Sequence, residues 1–176
     1  MRVFRFSVPL LTLALAATLS AASVPKVSRD VTINLPSGGQ VTVSQYRGKV
    51  VVAAMILTTC PHCQATTRIL SSMQKEFGPR GLQVIEGAIV QSQSSDLADF
   101  IKNFSPPFPV GAIAYENAAR FMGFEPTSRH YVPFLTFVDR KGNIRGQYDG
   151  KAEFNDENNE AKNIRDMIVK LLAEKK

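Results

Sequence analysis

Val31-Thr32-Ile33-Asn34-Leu35 and Gln40-Val41-Thr42-Val43-Ser44 alternate apolar and polar side chains around the turn formers Pro36-Ser37-Gly38-Gly39, which predicts a β-hairpin. Residues 50–57 form an unbroken apolar run rich in β-branching, too short for a stable helix and bounded by Thr58-Thr59. That pattern predicts a strand buried on both faces, at the centre of a parallel sheet. Ala65, Ile69, Met73 and Phe77 then recur at helical spacing until Gly78-Pro79 stops the helix. Strand character returns over residues 82–90, and Leu97, Phe100, Ile101 and Phe104 mark a second amphipathic helix that Pro106-Pro107-Phe108-Pro109 breaks. Residues 115–122 predict a short third helix with Ala118, Ala119 and Met122 on one face, followed by a loop containing Pro126 and Ser128. Residues 134–138 and 144–148 read as an antiparallel pair joined by a turn at Asp139-Arg140-Lys141-Gly142. Ile164, Met167, Ile168, Leu171 and Leu172 form the apolar stripe of a last helix, preceded by a polar patch over residues 155–160.

A different pattern precedes the hairpin. Residues 1–7 carry Arg2 and Arg5 and no acid, residues 8–19 are almost wholly apolar, and Ser20 and Ala22 supply small side chains before a cut after Ala22. This is the three-part layout of a secretory signal, and the run is short against the ~20 residues of a spanning helix. The expected organisation is a signal peptide over 1–22 and one domain over 23–176, exported to an extracytoplasmic, periplasmic space. A chain of 176 residues with 44% hydrophobic and 20% charged side chains suits one domain with a full core. Its net charge of +6 is spread without a Lys/Arg cluster or an aromatic stripe, which argues against a nucleic-acid partner.

Cys60 and Cys63 are the only cysteines. Two thiols make neither a disulfide framework nor a four-ligand zinc set, and in an oxidising compartment a dithiol cycles through a disulfide. In Cys60-Pro61-His62-Cys63, Pro61 falls where the first helical turn lacks an N–H partner, so Cys60 is expected to cap the helix. Free amides and the positive end of the helix there favour thiolate over thiol and make Cys60 the attacking nucleophile. Cys63, one turn on and more buried, resolves the mixed disulfide. His62 is expected to lie near the Cys60 sulfur and lend it a hydrogen bond or positive charge, which makes the disulfide more oxidising. Two bland readings compete: an inert bridge, which would remove little chain entropy over so short a loop, and a zinc half-site completed in part by His130.

Arg47-Gly48-Lys49-Val50-Val51-Val52, Thr58-Thr59-Cys60-Pro61-His62-Cys63, and the stretch from Tyr131-Val132-Pro133-Phe134 to Lys141-Gly142, taken with the order of elements, resemble the thioredoxin-like TlpA/ResA family of exported thiol-disulfide oxidoreductases. The resemblance covers about residues 30–174. It implies an α/β thioredoxin fold, a central mixed sheet flanked by helices, with an N-terminal β-hairpin and a helical insertion before the strand that follows the proline. It also implies that Pro133 is cis and packs against the active-site disulfide, and that Val132 offers its backbone to a substrate strand; the alternative for Pro133 is an edge-strand proline. The sequence departs from related proteins at Thr59, where tryptophan is common, and at Ala54, where thioredoxins carry a buried acid. Glu86, on a neighbouring strand, is a candidate proton relay in its place, against the plainer reading of an acid solvated at a sheet face. The Cys-Pro-His-Cys tetrapeptide and Val132 resemble DsbA-type oxidases instead, although the chain between residues 90 and 131 is too short for their large helical insertion.

The expected activity is therefore thiol-disulfide exchange with protein substrates through Cys60 and Cys63, with no cofactor and no metal. The resemblance implies exported cysteine-containing partners, such as an apocytochrome c, and a membrane redox partner that resets the dithiol. A copper-binding chaperone using Cys60, Cys63 and His130 is an alternative, since thiolates and imidazole suit Cu(I). A peroxiredoxin-like peroxidase is another, but Ala53 and Leu57 stand where such enzymes need proline and threonine to orient the peroxide.

Overall fold

The computed structural model describes residues 26–27, 29–89, 95–125 and 129–174. In chain order the elements are β1 (Lys26–Val27), β2 (Thr32–Asn34), β3 (Gln40–Thr42), β4 (Val50–Ile56), α1 (Pro61–Phe77), β5 (Leu82–Ile89), α2 (Ser95–Phe104), β6 (Val110–Ile113), α3 (Tyr115–Met122), β7 (Phe134–Val138), β8 (Asn143–Tyr148) and α4 (Glu160–Ala173). The strands form one mixed sheet in the order β1-β8-β7-β4-β5-β6-β2-β3. β4 lies at its centre, parallel to β5 and antiparallel to β7.

Every residue of β4 is buried, because its alternate side chains feed two separate cores. Val50, Val52, Ala54 and Ile56 face Leu70, Met73 and Phe77 of α1, Leu97 and Phe100 of α2, and Ile164, Ile168 and Leu171 of α4. Val51, Ala53 and Met55 face Ala118, Phe121 and Met122 of α3 and the hairpin residues Val31, Ile33, Val41 and Val43. This is the expected thioredoxin-like layering. Six strand spacings separate β1 from β2 in the sheet order, about 29 Å if the sheet were flat. The chain from Val27 to Thr32 spans at most about 18 Å, so the sheet curls and carries the hairpin over the face of β4.

α1 is fixed to the sheet at its far end. Gln74 Oε1 accepts the Val84 N–H at 2.7 Å, tying the last turn of α1 to the start of β5. The connection turns through Gly81 at φ 100°, a conformation that costs glycine little.

Three expectations need correction. The insertion before β7 is not wholly helical: β6 pairs in parallel with β5 and joins the hairpin to the sheet through β2. A four-residue strand that begins after Pro109 and contains Gly111 carries almost no strand signal of its own. The inner face of α1 is not Ala65 and Ile69, which are exposed and half-buried, but Cys63, Thr66, Thr67, Leu70, Met73 and Phe77. α3 likewise buries Phe121 with Ala118 and Met122, leaving Ala119 half-buried. The expected signal segment over 1–22, Val90, and the loop residues Pro126 and Ser128 lie outside the described residues.

Candidate active site

Cys60 is the N-cap of α1, with extended backbone at φ −80° and ψ 120°, and Pro61 occupies the start of the helix. Its carbonyl accepts the Gln64 N–H at 3.0 Å, and its own N–H donates to the Leu57 carbonyl at 3.1 Å. The Gln64 side chain donates to the Thr58 carbonyl at 2.9 Å and braces the strand-to-helix turn. Both cysteines are free thiols, Cys60 half-buried and Cys63 fully buried. Burial pushes the Cys63 thiol far above the ordinary thiol range; a hydrogen bond from the Leu57 backbone opposes this, while Cys60 and the Glu86 carboxyl add to it. Only Cys60 of the pair meets solvent, so the roles of attacker and resolver divide along accessibility.

Glu86 is not solvated. It sits opposite Ala54 in the β4–β5 register and is fully buried on the α1 side of the sheet. The Thr67 hydroxyl lies 3.0 and 3.1 Å from its two oxygens and 3.0 Å from the Cys63 carbonyl. The single Thr67 hydroxyl is thus within donating distance of both the Glu86 carboxyl and the Cys63 carbonyl and links the two. Desolvation raises the Glu86 pKa to about 8, with the Thr67 hydrogen bond pulling the other way. A buried acid therefore sits one hydroxyl away from the backbone carbonyl of the buried cysteine, where chain position alone placed it only on a neighbouring strand.

His62 departs from expectation. The hydrogen bond the structure gives its ring runs from Nε2 to Glu160 Oε2, at 3.3 Å, rather than to the Cys60 sulfur. Glu160 begins α4, is only 1% exposed, and accepts the Thr66 hydroxyl on Oε1 at 2.8 Å. Burial raises its pKa, while Thr66 and His62 lower it. In the sequence Glu160 ends a polar patch, and its one signal is an acid in the first turn of a helix.

The Val132–Pro133 peptide is cis. Val132 is half-buried and packs, as Cys60 does, on the core beneath α1. Behind the Val132-Pro133 loop, Gly150 donates its N–H to the Tyr131 carbonyl, and a Cβ at Gly150 would lie 2.2 Å from the Val132 carbonyl oxygen. Asn155 bridges the same loop to the chain after β8 through the Pro133 and Asp149 carbonyls. His130 does not join the cysteines. Its ring stacks on Phe124 at 3.5 Å, and Nδ1 faces Asp149 at 3.6 Å. Among the described residues no group of three or more His, Cys, Asp or Glu side chains could hold a metal ion, so the alternative of a copper site built from Cys60, Cys63 and His130 finds no assembled ligand set.

The pattern of the AhpC/TSA family matches residues 24–151. A thiol:disulfide interchange protein of the thioredoxin family from Chlorobium tepidum superposes with a TM-score of 0.70 over 87% of this chain and 100% of its own, at 18% identity. A thiol:disulfide interchange protein from a Bacteroides species does so with a TM-score of 0.66 over 88% and 93%, at 14% identity. These likenesses are of fold. In sequence, the chain is 38% identical over 48 residues to "Probable glutathione peroxidase 8-A" of Xenopus laevis, a match spanning 27% of this chain and 23% of that relative.

Proposed function

The chain belongs to the AhpC/TSA family, and from that premise we propose that it is an extracytoplasmic thiol-disulfide oxidoreductase acting on protein substrates through Cys60 and Cys63. The observation that carries this reading is a solvent-reached cysteine capping α1 beside a fully buried one, with the Glu86 carboxyl buried on the same side of the sheet and raising the pKa of the latter. The Cys60 thiolate attacks one sulfur of a substrate disulfide, forming a mixed disulfide and releasing the other substrate sulfur as a thiolate. Cys63 gives its proton towards Glu86 and attacks Cys60 Sγ. The internal disulfide forms and the second substrate thiolate leaves. Run backwards, the same two-electron exchange donates a disulfide.

Val132 offers its backbone to the substrate strand beside cis-Pro133. Residues 1–22 direct export, and the partners are exported cysteine-bearing proteins, an apocytochrome c among them, with a membrane redox partner resetting the pair.

The test equilibrates the protein with glutathione buffers and scores thiols, then traps partners with Cys63→Ser in the exported fraction. A reversible two-electron couple and trapped cysteine-bearing proteins are expected. A couple above about −160 mV marks a disulfide donor and one below about −230 mV a reductant. The similarity to a glutathione peroxidase motivates a parallel assay. Rapid consumption of hydrogen peroxide without exchange on protein disulfides would replace this reading with a peroxidase one, although Ala53 and Leu57 supply no group to orient a peroxide.

A further inference from the structure

His62 is the residue between the two cysteines that carries a titratable group, and its ring is engaged from outside α1. The carboxyl group it meets belongs to Glu160, 98 positions later in the chain and 1% exposed. Glu160 also receives the Thr66 hydroxyl, three residues beyond Cys63, so both of its oxygens are committed to the first turns of the cysteine-bearing helix. A buried carboxylate with two partners on one neighbouring helix is costly to place unless it is paired there. Nothing in the hydrophobic packing of α4 requires an acid at this position, since its core face is Ile164, Ile168, Leu171 and Leu172.

Resting on the exchange function above, we propose that Glu160 is a positioning residue of the redox centre: its carboxylate shares a proton with His62 and, through the charge this leaves on the ring, sets the thiol–disulfide equilibrium of Cys60 and Cys63. His62 lies in the first turn of the helix that Cys60 caps, and its Nε2 stands 3.3 Å from the Glu160 carboxyl on α4. A cation between the cysteines stabilises the Cys60 thiolate and hence the reduced form, which makes the disulfide the stronger oxidant. The other groups facing the pair are Glu157, which opposes ionisation of Glu160, and Lys151, Glu153 and Asp156 around the open groove beside His62. These groups line an open groove, whereas Glu160 is 1% exposed and does not line it.

The sign of one measurement separates this role from its rivals. Glu160→Gln keeps an acceptor for Thr66 and a side chain of the same shape but removes the charge. If Glu160 acts through His62, the ring loses its positive charge, the reduced form loses stabilisation, and the equilibrium with glutathione shifts about fivefold to tenfold towards the protein disulfide, tenfold being about 30 mV for two electrons. The same substitution in a His62→Gln background then shifts nothing. If Glu160 acted on the thiolate by its own charge, its removal would shift the equilibrium the opposite way and do so in both backgrounds. A lower melting temperature with an unmoved equilibrium would mark a merely structural acid. Either result overturns the proposal.

A variant-free check follows the His62 ring carbon and the Glu160 carboxyl carbon by NMR from pH 4 to 9 in the reduced wild-type protein. A ring signal that responds when the Glu160 carboxyl ionises is expected, and a ring indifferent to that ionisation refutes the pairing. A wild-type protein with no reversible couple would instead refute the exchange function, while the NMR result would still report on the pair.

Discussion

Glu86 and Cys63 are each held protonated by burial, and Thr67 stands between the acid and the helix turn that carries the thiol. To accept the Cys63 proton, Glu86 must first be ionised, and its pKa of about 8 sets where that happens. Release of the mixed disulfide should therefore accelerate as pH rises to about 8 and level off above it. Glu86→Gln should slow that step about a hundredfold and remove the inflection, while leaving the first attack by Cys60 close to wild type. Stopped-flow kinetics on a disulfide substrate, with the two phases resolved, decides the matter; equal slowing of both phases would remove Glu86 from the relay. The candidate site was legible only in part at this scale. The cysteine pair and its helix start follow from four adjacent residues, because capping and proline placement are local. Glu160 does not, because it meets His62 only when α4 packs beside α1, and no local pattern encodes a contact over that distance.

The elements around the site are set by polar groups as much as by apolar ones. α1 buries Thr66 and Thr67, whose hydroxyls bond the carbonyls one turn earlier and two buried carboxyls, so the helix face that matters is partly polar. A periodicity count over hydrophobic residues shifts that face towards Ala65 and Ile69, which is why the pattern predicted the helix but misplaced its inner side. β6 was invisible for the converse reason: its pairing with β5 comes from the sheet rather than from its own short sequence. The segment after β8 acts on the proline loop through close backbone contact. A methyl at Gly150 would meet the Val132 carbonyl oxygen at 2.2 Å and its carbon at 2.6 Å, so Gly150→Ala must displace the Val132-Pro133 loop. Exchange with a folded protein substrate should fall about tenfold or more, while exchange with glutathione, which needs no strand alignment, should change much less. Parallel kinetics on the two substrates measure this, and equal losses on both would show that Val132 does not align the substrate.

For the molecule as a whole, the buried acids fix how stability depends on pH. Glu86 releases its proton near 4.5 when unfolded but at about 8 when folded, and Glu160 and Cys63 shift in the same direction. The folded protein thus holds protons that the unfolded chain has already lost. The stabilisation is complete below the unfolded carboxylate value and fades as pH rises towards 8. Asp139 works the other way: its pKa is lowered, despite opposing desolvation, by hydrogen bonds from Asn143, Arg145 and Lys141, so its contribution is lost in stronger acid. The reduced protein should therefore be most stable in mild acid and lose about 1 kcal/mol per pH unit on the way to neutrality and slightly beyond. Denaturant unfolding at a series of pH values tests this. Glu86→Gln should flatten the slope, and an unchanged slope would mean that Glu86 is ionised in the folded state.

As described, the sheet is bounded by β1, two residues long, and β3, three residues long, while its long strands β4 and β5 lie inside. Rows of free backbone groups on a long outer strand invite other chains to add on. A protein that handles incompletely folded, cysteine-bearing chains would collect them along such a border. At the β3 border only three residues are offered to such a chain, so on the function proposed above a client is held chiefly by its mixed disulfide, which ends when the internal disulfide forms.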